Sequence, residues 1–199
     1  MSEEVLKTLK VGLEGRAYPI FIGHGLGSLI NKSSSEHLGQ GKKVVVLIDD
    51  GLRKKAPLFA KELLTRVSTL TLPSGENTKS VPFLSKIWNF LASEGVDRTG
   101  VLFALGGGVT GDLSGFAAAS YLRGLDFYQV PTTLLAMVDS SVGGKTGINL
   151  DAGKNLVGAF HQPKAVFMDL DCLRTLPKSE FAAGMAEVIK YGLLGNKSL

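Results

Sequence analysis

Short apolar segments alternate with helix-like segments along this 199-residue chain, and this alternation restricts the fold more than any other feature. Segment 42–48 (KKVVVLI) is continuous and β-branched, which is typical of a strand buried on both faces of a sheet. Apolar residues then recur at helical spacing from 81 to 91, with Ser80 placed to cap that helix. Such alternation predicts parallel βαβ units. We therefore expect an α/β fold, with a Rossmann-like open, mostly parallel sheet flanked by helices.

The remaining elements are predicted from the same patterns. Strands are expected at 7–11, 17–22, 42–48, 68–72, 101–105, 127–130 and 165–169. Helical segments are expected after 51, after 80, after 111 and from Thr132, and a last helix runs from Ser179, its expected N-cap, to about Leu194. Ligands bind beyond the carboxyl ends of the strands in such sheets, so the loops that follow the strands are where function is expected.

Composition excludes several classes of function. The 22 basic and 18 acidic residues are scattered, which favours small anionic ligands over nucleic acid. No apolar segment approaches the roughly 20 residues of a membrane span, and the N-terminus MSEEVLKTLK is too charged for a signal peptide, so we expect a soluble, cytoplasmic protein without a membrane partner. The single Cys172 excludes an internal disulfide and a Cys-rich zinc site.

A glycine-rich turn follows the predicted strand at 101–105. Its Gly106-x-Gly108-x-x-Gly111 spacing matches the local form of the dinucleotide fingerprint, in which bare backbone and a helix N-terminus approach a pyrophosphate. A tight strand-to-helix turn explains the same spacing equally well. The acidic ribose acceptor belongs at a strand end, and Asp49, at the end of the 42–48 strand, is a better candidate for it than Asp126.

Two lysines lie on glycine-rich backbone in the segment 138–155. Lys145 follows two glycines, but the P-loop pattern fails because Asp139 occupies the position of its first glycine. Lys145 and Lys154, with Asp139 nearby, predict an anion site with a proton acceptor. A solvated hairpin is the alternative, as a solvated loop is for residues 74–79 (SGENTK).

Glu187, Lys190 and Tyr191 are spaced to project from one face of the last helix. A surface ion pair is the simplest interpretation, because a metal site needs two or three further ligands. The three histidines share no local ligand spacing with Glu187, and His161 is interpreted as structural.

Five consecutive motifs make the sequence recognisable: GGGVTGDLSGFAAASYLRG, QVPTTLLAMVDSSVGGKTGINL, GKNLVGAFHQP, DLDCLRTLP and GMAEVIKYG. In this order and spacing they resemble the N-terminal half of the 3-dehydroquinate synthase family. The resemblance implies a sugar-phosphate cyclase of the shikimate pathway that uses bound NAD and a divalent metal, zinc or cobalt. The family converts 3-deoxy-D-arabino-heptulosonate 7-phosphate into 3-dehydroquinate by transient oxidation, phosphate elimination and ring closure.

The resemblance also implies roles for individual residues. It implies NAD contacts at Asp49, Ser74, Gly75, Glu76, Asn77, Thr78, Lys79, Gly108, Val109, Thr110, Gly111, Asp112, Thr132, Thr133, Lys145, Lys154, Cys172, Leu173, Arg174 and Thr175. It implies substrate contacts at Asp139, Lys145, Asn155 and Lys190, a first metal ligand at Glu187, and a contact from Arg123 to a neighbouring subunit's site in a homodimer.

The family's two histidine metal ligands belong to a helical C-terminal domain that these residues do not include. We therefore expect an NAD-binding domain at 1–178, the start of the metal and substrate domain at 179–199, and a fragment that binds NAD weakly without catalysing the cyclisation. Two alternatives stay open: a cyclase for another sugar phosphate, or a non-catalytic nucleotide-binding module. A metal-dependent polyol dehydrogenase is the nearest rival enzyme, but it would not be expected to carry DSSVGGKTG with GKN, whose lysines suit a phosphorylated carboxylate.

Overall fold

The computed structural model describes residues 4–55 and 58–195. They form a seven-stranded sheet with helices on both faces, together with a separate two-stranded hairpin. The strands are β1 Glu4–Val11, β2 Tyr18–His24, β3 Val44–Asp49, β4 Ser68–Leu72, β5 Val101–Gly106, β6 Asp126–Pro131, β7 Lys145–Leu150, β8 Gly153–Phe160 and β9 Ala165–Asp169. The helices are α1 Gly27–Gly39, α2 Asp50–Lys55, α3 Leu58–Arg66, α4 Val81–Ser93, α5 Gly108–Ser120 and α6 Lys178–Leu193.

The large sheet has the order β1-β2-β9-β6-β5-β3-β4. Only the β1–β2 pair is antiparallel, and every other neighbouring pair is parallel. The Rossmann-like, mostly parallel architecture is therefore confirmed, and all seven strands predicted for it are present with shifts of a few residues at most.

Two apolar cores lie on opposite faces of this sheet because successive side chains of a buried strand alternate between faces. Val45 and Leu47 of β3 pack with residues of α4 and α5, whereas Val46 and Ile48 pack with α1 and α3. Residues 44–48 are all buried, as the continuous apolar pattern predicted.

Two helix starts differ from the predictions, and the predicted N-cap of a third helix has the expected position but not the hydrogen bond. Ser80 precedes α4 but makes no side-chain capping hydrogen bond, and Val81 lies half-exposed outside the apolar stripe. Pro177, not Ser179, occupies the N-cap position of α6, since the fixed φ of proline suits the start of a helix. The helical segment after Thr132 is short and ends in a π-helical turn, Ala136–Ser140.

Strands β7 and β8 form an antiparallel hairpin that packs across α5. A Cβ at Gly115 of α5 would lie 2.4 Å from the Thr146 methyl group of β7, so the close approach requires glycine there. The predicted anion loop is thus a structured hairpin held against the helix that begins at the glycine-rich turn. No helix in the described part of the chain is long and apolar enough to cross a bilayer.

Candidate nucleotide and phosphate site

The chain reverses its direction of travel across the sheet between β3 and β5. The connection from β3 leads outward to β4, whereas the connection from β5 leads the opposite way to β6. Asp49 ends β3 and Gly106 ends β5, and a Cβ on Gly106 would lie 3.1 Å from the Asp49 Cβ. Such a reversal opens a crevice beyond the strand ends, which is where open α/β sheets bind ligands.

The glycine-rich turn lies at this crevice. Gly107 is at the N-cap position of α5, and no side chain caps the helix, so the first-turn amides remain available to an anion. A Cβ at Gly108 would lie 2.9 Å from the Ser140 hydroxyl, and one at Gly107 would lie 3.2 Å from the Thr133 methyl group. The turn therefore presents bare backbone between two neighbouring loops.

The loop after β4 is tied to the same crevice. The Ser74 hydroxyl donates a hydrogen bond of 2.8 Å to Asp49 Oδ1 and accepts one of 3.1 Å from the Gly51 amide. Gly75 has a φ of +104°, a conformation that favours glycine, and the segment Glu76–Thr78 then forms a 3-10 turn. Asp49 and the 74–79 loop thus lie together, as the NAD assignment of both requires.

Lys79 is a buried cation at the base of this loop, with 5% of its surface exposed. Its ammonium group forms an ion pair with Asp112 and donates a hydrogen bond of 2.5 Å to Asn155 Oδ1. Burial raises the pKa of Asp112, and the hydrogen bond from Lys79 opposes that shift. Lys79 therefore links the 74–79 loop, helix α5 and the β7–β8 hairpin.

A pocket of about 450 Å³ opens beside the Lys79 cluster. Three of the predicted substrate contacts, Asp139, Lys145 and Asn155, line it, together with Asp112 of the predicted NAD set. Ser140 and Phe160 line it as well, and the exposed Phe160 ring lies at its outer end. Residues that are far apart in the sequence thus share one cleft with both acidic and basic groups.

Helix α6 lies next to this region but does not line the pocket. It packs against the turn at 136–140, and a Cβ at its Gly184 would lie 2.6 Å from Leu134. Glu187 and Lys190 form an ion pair, which raises the pKa of Lys190. The negative charge of Asp139, which lines the pocket, also raises the pKa of Lys190. No group of three His, Cys, Asp or Glu residues suited to a metal ion occurs within residues 4–55 and 58–195.

Two further sets of predicted contacts do not line the pocket. The Cys172 side chain is buried beside Tyr18 and Met137, and burial raises the pKa of its thiol to about 12, so the thiol is not free for a ligand, whereas the Arg174 side chain is exposed. Arg123 lies three residues before Asp126, whose register partner is the first residue of β5, and therefore at the opposite edge of the sheet. The NAD contacts proposed for 172–175 and the intersubunit contact of Arg123 stay predictions.

Several residues at the site were not among the predicted contacts, and Asn149 and Ser140 are two of them. Asn149, near the end of β7, hydrogen-bonds to residues of both neighbouring loops, and Ser140 fills the space above Gly108. No strand was predicted at residues 145–150, so no sequence signal singled out Asn149. Its partners depend on the hairpin, which the sequence patterns did not specify.

The fold and this cleft define a Rossmann-like α/β domain with a ligand crevice beyond the carboxyl ends of its parallel strands. The family model described as 3-dehydroquinate synthase N-terminal matches residues 69–183. The chain therefore belongs to the 3-dehydroquinate synthase family, and the resemblance noted in its motifs is confirmed. It is 55% identical to the 3-dehydroquinate synthase of Opitutus terrae over 96% of this chain and 53% of that protein. The chain thus spans about half the length of the curated relatives it matches.

Solved structures agree with this assignment. A 2-deoxy-scyllo-inosose synthase complexed with carbaglucose-6-phosphate, NAD+ and Co2+ is 26% identical over 92% of this chain and 50% of its own, with a TM-score of 0.77. The 2-epi-5-epi-valiolone synthase of Streptomyces hygroscopicus with NAD+ and Zn2+ bound is 26% identical over 93% of this chain and 51% of its own, with a TM-score of 0.74. A probable glycerol dehydrogenase of Sinorhizobium meliloti, 19% identical over 83% of this chain and 43% of its own with a TM-score of 0.62, shares the fold alone.

Proposed function

We propose that this chain is the nucleotide-binding half of an NAD- and metal-dependent 3-dehydroquinate synthase, a carbon–oxygen lyase that acts on a phosphorylated sugar acid. One observation carries the proposal. The crevice between β3 and β5 continues into a pocket that holds Asp139, Lys145 and Asn155, so that a cofactor and an anionic substrate would lie side by side. The substrate is 3-deoxy-D-arabino-heptulosonate 7-phosphate, and the products are 3-dehydroquinate and phosphate.

The residues at the crevice fit a dinucleotide. The uncapped first turn of α5 offers amide donors to a pyrophosphate, and its glycines leave room for close approach. Asp49 Oδ1 accepts from Ser74 and from the Leu52 amide, which orients the carboxylate at the strand end where a ribose hydroxyl would bind. When bound, NAD supplies reversible removal of a hydride from a substrate alcohol.

The pocket residues would orient the phosphorylated acid. The Lys145 ammonium is an exposed point charge on the first residue of β7, which follows two glycines of positive φ, as suits a phosphate or carboxylate oxygen. Asp139 lines the pocket, where a carboxylate can accept a proton from a substrate hydroxyl. Lys79 fixes the side-chain oxygen of Asn155, which leaves the amide NH2 group free to donate to the substrate.

The residues described do not by themselves fit the family's metal. Glu187 is engaged with Lys190, and no group of three His, Cys, Asp or Glu residues that could hold a metal ion forms around it in the described part of the chain. A single carboxylate cannot hold a catalytic divalent ion, so we assign no step to the metal here. We expect this chain alone to bind NAD without forming 3-dehydroquinate.

Calorimetric titration with NAD tests the proposal on this chain. We expect saturable binding of NAD to the unchanged chain. Gly108→Ala should weaken it about tenfold, because the new Cβ would lie 2.9 Å from the Ser140 hydroxyl at the glycine-rich turn. Gly12→Ala is the matched control, since a Cβ there would meet nothing within 4 Å. Equal affinity of both variants, or no binding to the unchanged chain, would count against an NAD site at this turn.

A cyclase for another sugar phosphate is the second candidate, favoured by the likeness to 2-deoxy-scyllo-inosose synthase. A full-length polypeptide that contains this chain should release phosphate from 3-deoxy-D-arabino-heptulosonate 7-phosphate when NAD and zinc or cobalt are supplied. Release from glucose 6-phosphate and not from the heptulosonate would favour the second candidate. A full-length polypeptide that binds NAD but turns over neither compound would support the non-catalytic alternative.

A further inference from the structure

We infer that Asn149 is a positioning residue. It holds the 74–79 loop, called the nucleotide loop below, in a fixed position relative to the β7–β8 hairpin that lines the pocket. The inference rests on the proposed function, because that proposal assigns the 74–79 loop to NAD and the β7–β8 hairpin to the substrate. It adds a residue that contacts neither ligand in that proposal and acts through its neighbours.

The evidence is a closed circuit of three hydrogen bonds. The Asn149 amide donates to the Lys79 carbonyl at 2.8 Å, and the Lys79 ammonium donates to Asn155 Oδ1 at 2.5 Å. The Asn155 amide then donates to Asn149 Oδ1 at 2.9 Å. The first of these bonds joins two backbone groups, whereas each of the other two depends on a side chain, so the Asn149 side chain contributes its Oδ1 to the circuit. Lys79 lies in the nucleotide loop, and Asn155 lies in the pocket wall.

A second arm of Asn149 reaches further along the nucleotide loop. Its side-chain amide donates a hydrogen bond of 2.7 Å to Glu76 Oε1. The nearest cation to that carboxylate is Lys154 at 3.9 Å, an exposed and therefore weak partner. Asn149 is thus the principal anchor that fixes Glu76 relative to the hairpin.

The backbone of Asn155 gives this anchor a specific task. Asn155 has a φ of +57°, in the left-handed region that residues with a Cβ adopt at a cost. The hydrogen bond from its amide to Asn149 Oδ1 stabilises that conformation. This backbone conformation directs the Asn155 side chain toward Lys79 and the pocket.

Hydrogen exchange and calorimetry on the chain test the inference together. Asn149→Ala should speed amide exchange in peptides covering 76–79 and 149–156 at least fivefold and weaken NAD binding about tenfold, the loss expected for one hydrogen bond to a charged group. Asn31→Ala is the matched control, because Asn31 donates the same kind of bond, 2.8 Å to Glu62, between α1 and α3 on the other face of the sheet. The control should lower the melting temperature while leaving both readouts unchanged.

A second pair of substitutions distinguishes a positioning role of Asn149 from a general loss of stability. Asn149→Asp keeps an acceptor for the Asn155 amide but places a carboxylate against Glu76, so exchange should quicken at 76–79 and stay slow at 153–156. Adding Glu76→Gln restores a donor on the opposite side and should slow the loop again. A loop that stays fast in the double variant would overturn the inference, as would unchanged exchange in Asn149→Ala. If the unchanged chain binds no NAD, the proposed function fails, and the exchange results still decide the role of Asn149.

Discussion

The crevice at the carboxyl edge of the sheet and the α6 helix beside it contribute to the site in different ways. At the crevice, Asp49, Lys79 and Asp112 each contact residues from other elements, and Lys79 is almost fully buried. On α6, Glu187 contacts a residue three positions along the same helix, and the Lys190 side chain is half-exposed. The first region is built by tertiary packing, whereas the second is a local helical pair.

This difference shows which part of the site the described residues form by themselves. The interlocked region offers amide donors, a carboxylate at the strand end and a cationic pocket, all held by long-range contacts. The helix offers one carboxylate and one ammonium whose geometry owes little to the sheet. Substitutions should therefore cost most at the crevice and least on α6.

The largest effect is expected for Lys79→Met. It removes the cation from between Asp112 and Asn155, and breaking such a buried pair costs about 3–5 kcal/mol of unfolding free energy. Burial then raises the pKa of Asp112 unopposed, so the deficit should shrink as pH falls toward the ordinary value of 3.8 and grow as pH rises. Urea unfolding between pH 4 and 7 measures both effects.

Adding Asp112→Asn to the Lys79→Met variant serves as the control. A neutral amide replaces the buried carboxylate, so part of the lost stability should return and its pH dependence should disappear. If Lys79→Met were as stable as the unchanged chain, the long-range contacts at the crevice would not stabilise the fold more than the local ion pair on α6 does.

A smaller effect is expected where α6 meets the rest of the domain. In Gly184→Ala the new Cβ would lie 2.6 Å from Leu134 and 2.7 Å from the backbone nitrogen of Leu135, which cannot move aside freely. We expect a loss of about 1–3 kcal/mol in unfolding free energy, as for other overpacked contacts. Gly192→Ala is the control on the same helix, because a Cβ there would meet nothing within 4 Å. Equal stability of the two variants would show that α6 is not packed as described.

The two regions also differ in how much of them the sequence could predict. Strands Ser68–Leu72 and Ala165–Asp169 were predicted to the residue, because their apolar patterns are local. The pairing of Asp49 with Ser74, or of Lys79 with Asn155, depends on strand order and on a hairpin whose glycines resemble loop residues. Family motifs identified Asp112, Asp139, Lys145 and Asn155 among the residues that line the cleft, yet Asn149 emerged only from its contacts. The Glu187–Lys190 pair, which is local, followed directly from helical spacing.

A still smaller effect concerns Cys172, which lies just beyond β9 but packs into the core. Its pKa is raised to about 12, mainly by burial, so the folded state favours the thiol. Its contribution to stability is present below the ordinary pKa of 9.0 and is lost as pH rises toward 12. Stability of the unchanged chain should fall more steeply above pH 9 than that of Cys172→Ala, as measured by urea unfolding. Parallel curves would place the side chain at the surface, where it could contact a ligand.

The smallest effect is expected for Glu187→Gln. The pair joins neighbouring turns of one helix, and its Lys190 end is half-exposed although Glu187 is only 17% exposed. A local pair with one solvated end adds little stability, so the melting temperature should change by about 1 °C or less. The pKa of Lys190 should nevertheless fall, because the hydrogen bond and charge of Glu187 are what raise it above 10.5. Titration of the Lys190 side chain by NMR measures this shift, with Lys178 at the start of the same helix as the internal reference. A large loss of stability would mean that Glu187 is as interlocked as Lys79, and the contrast between the two regions would not hold.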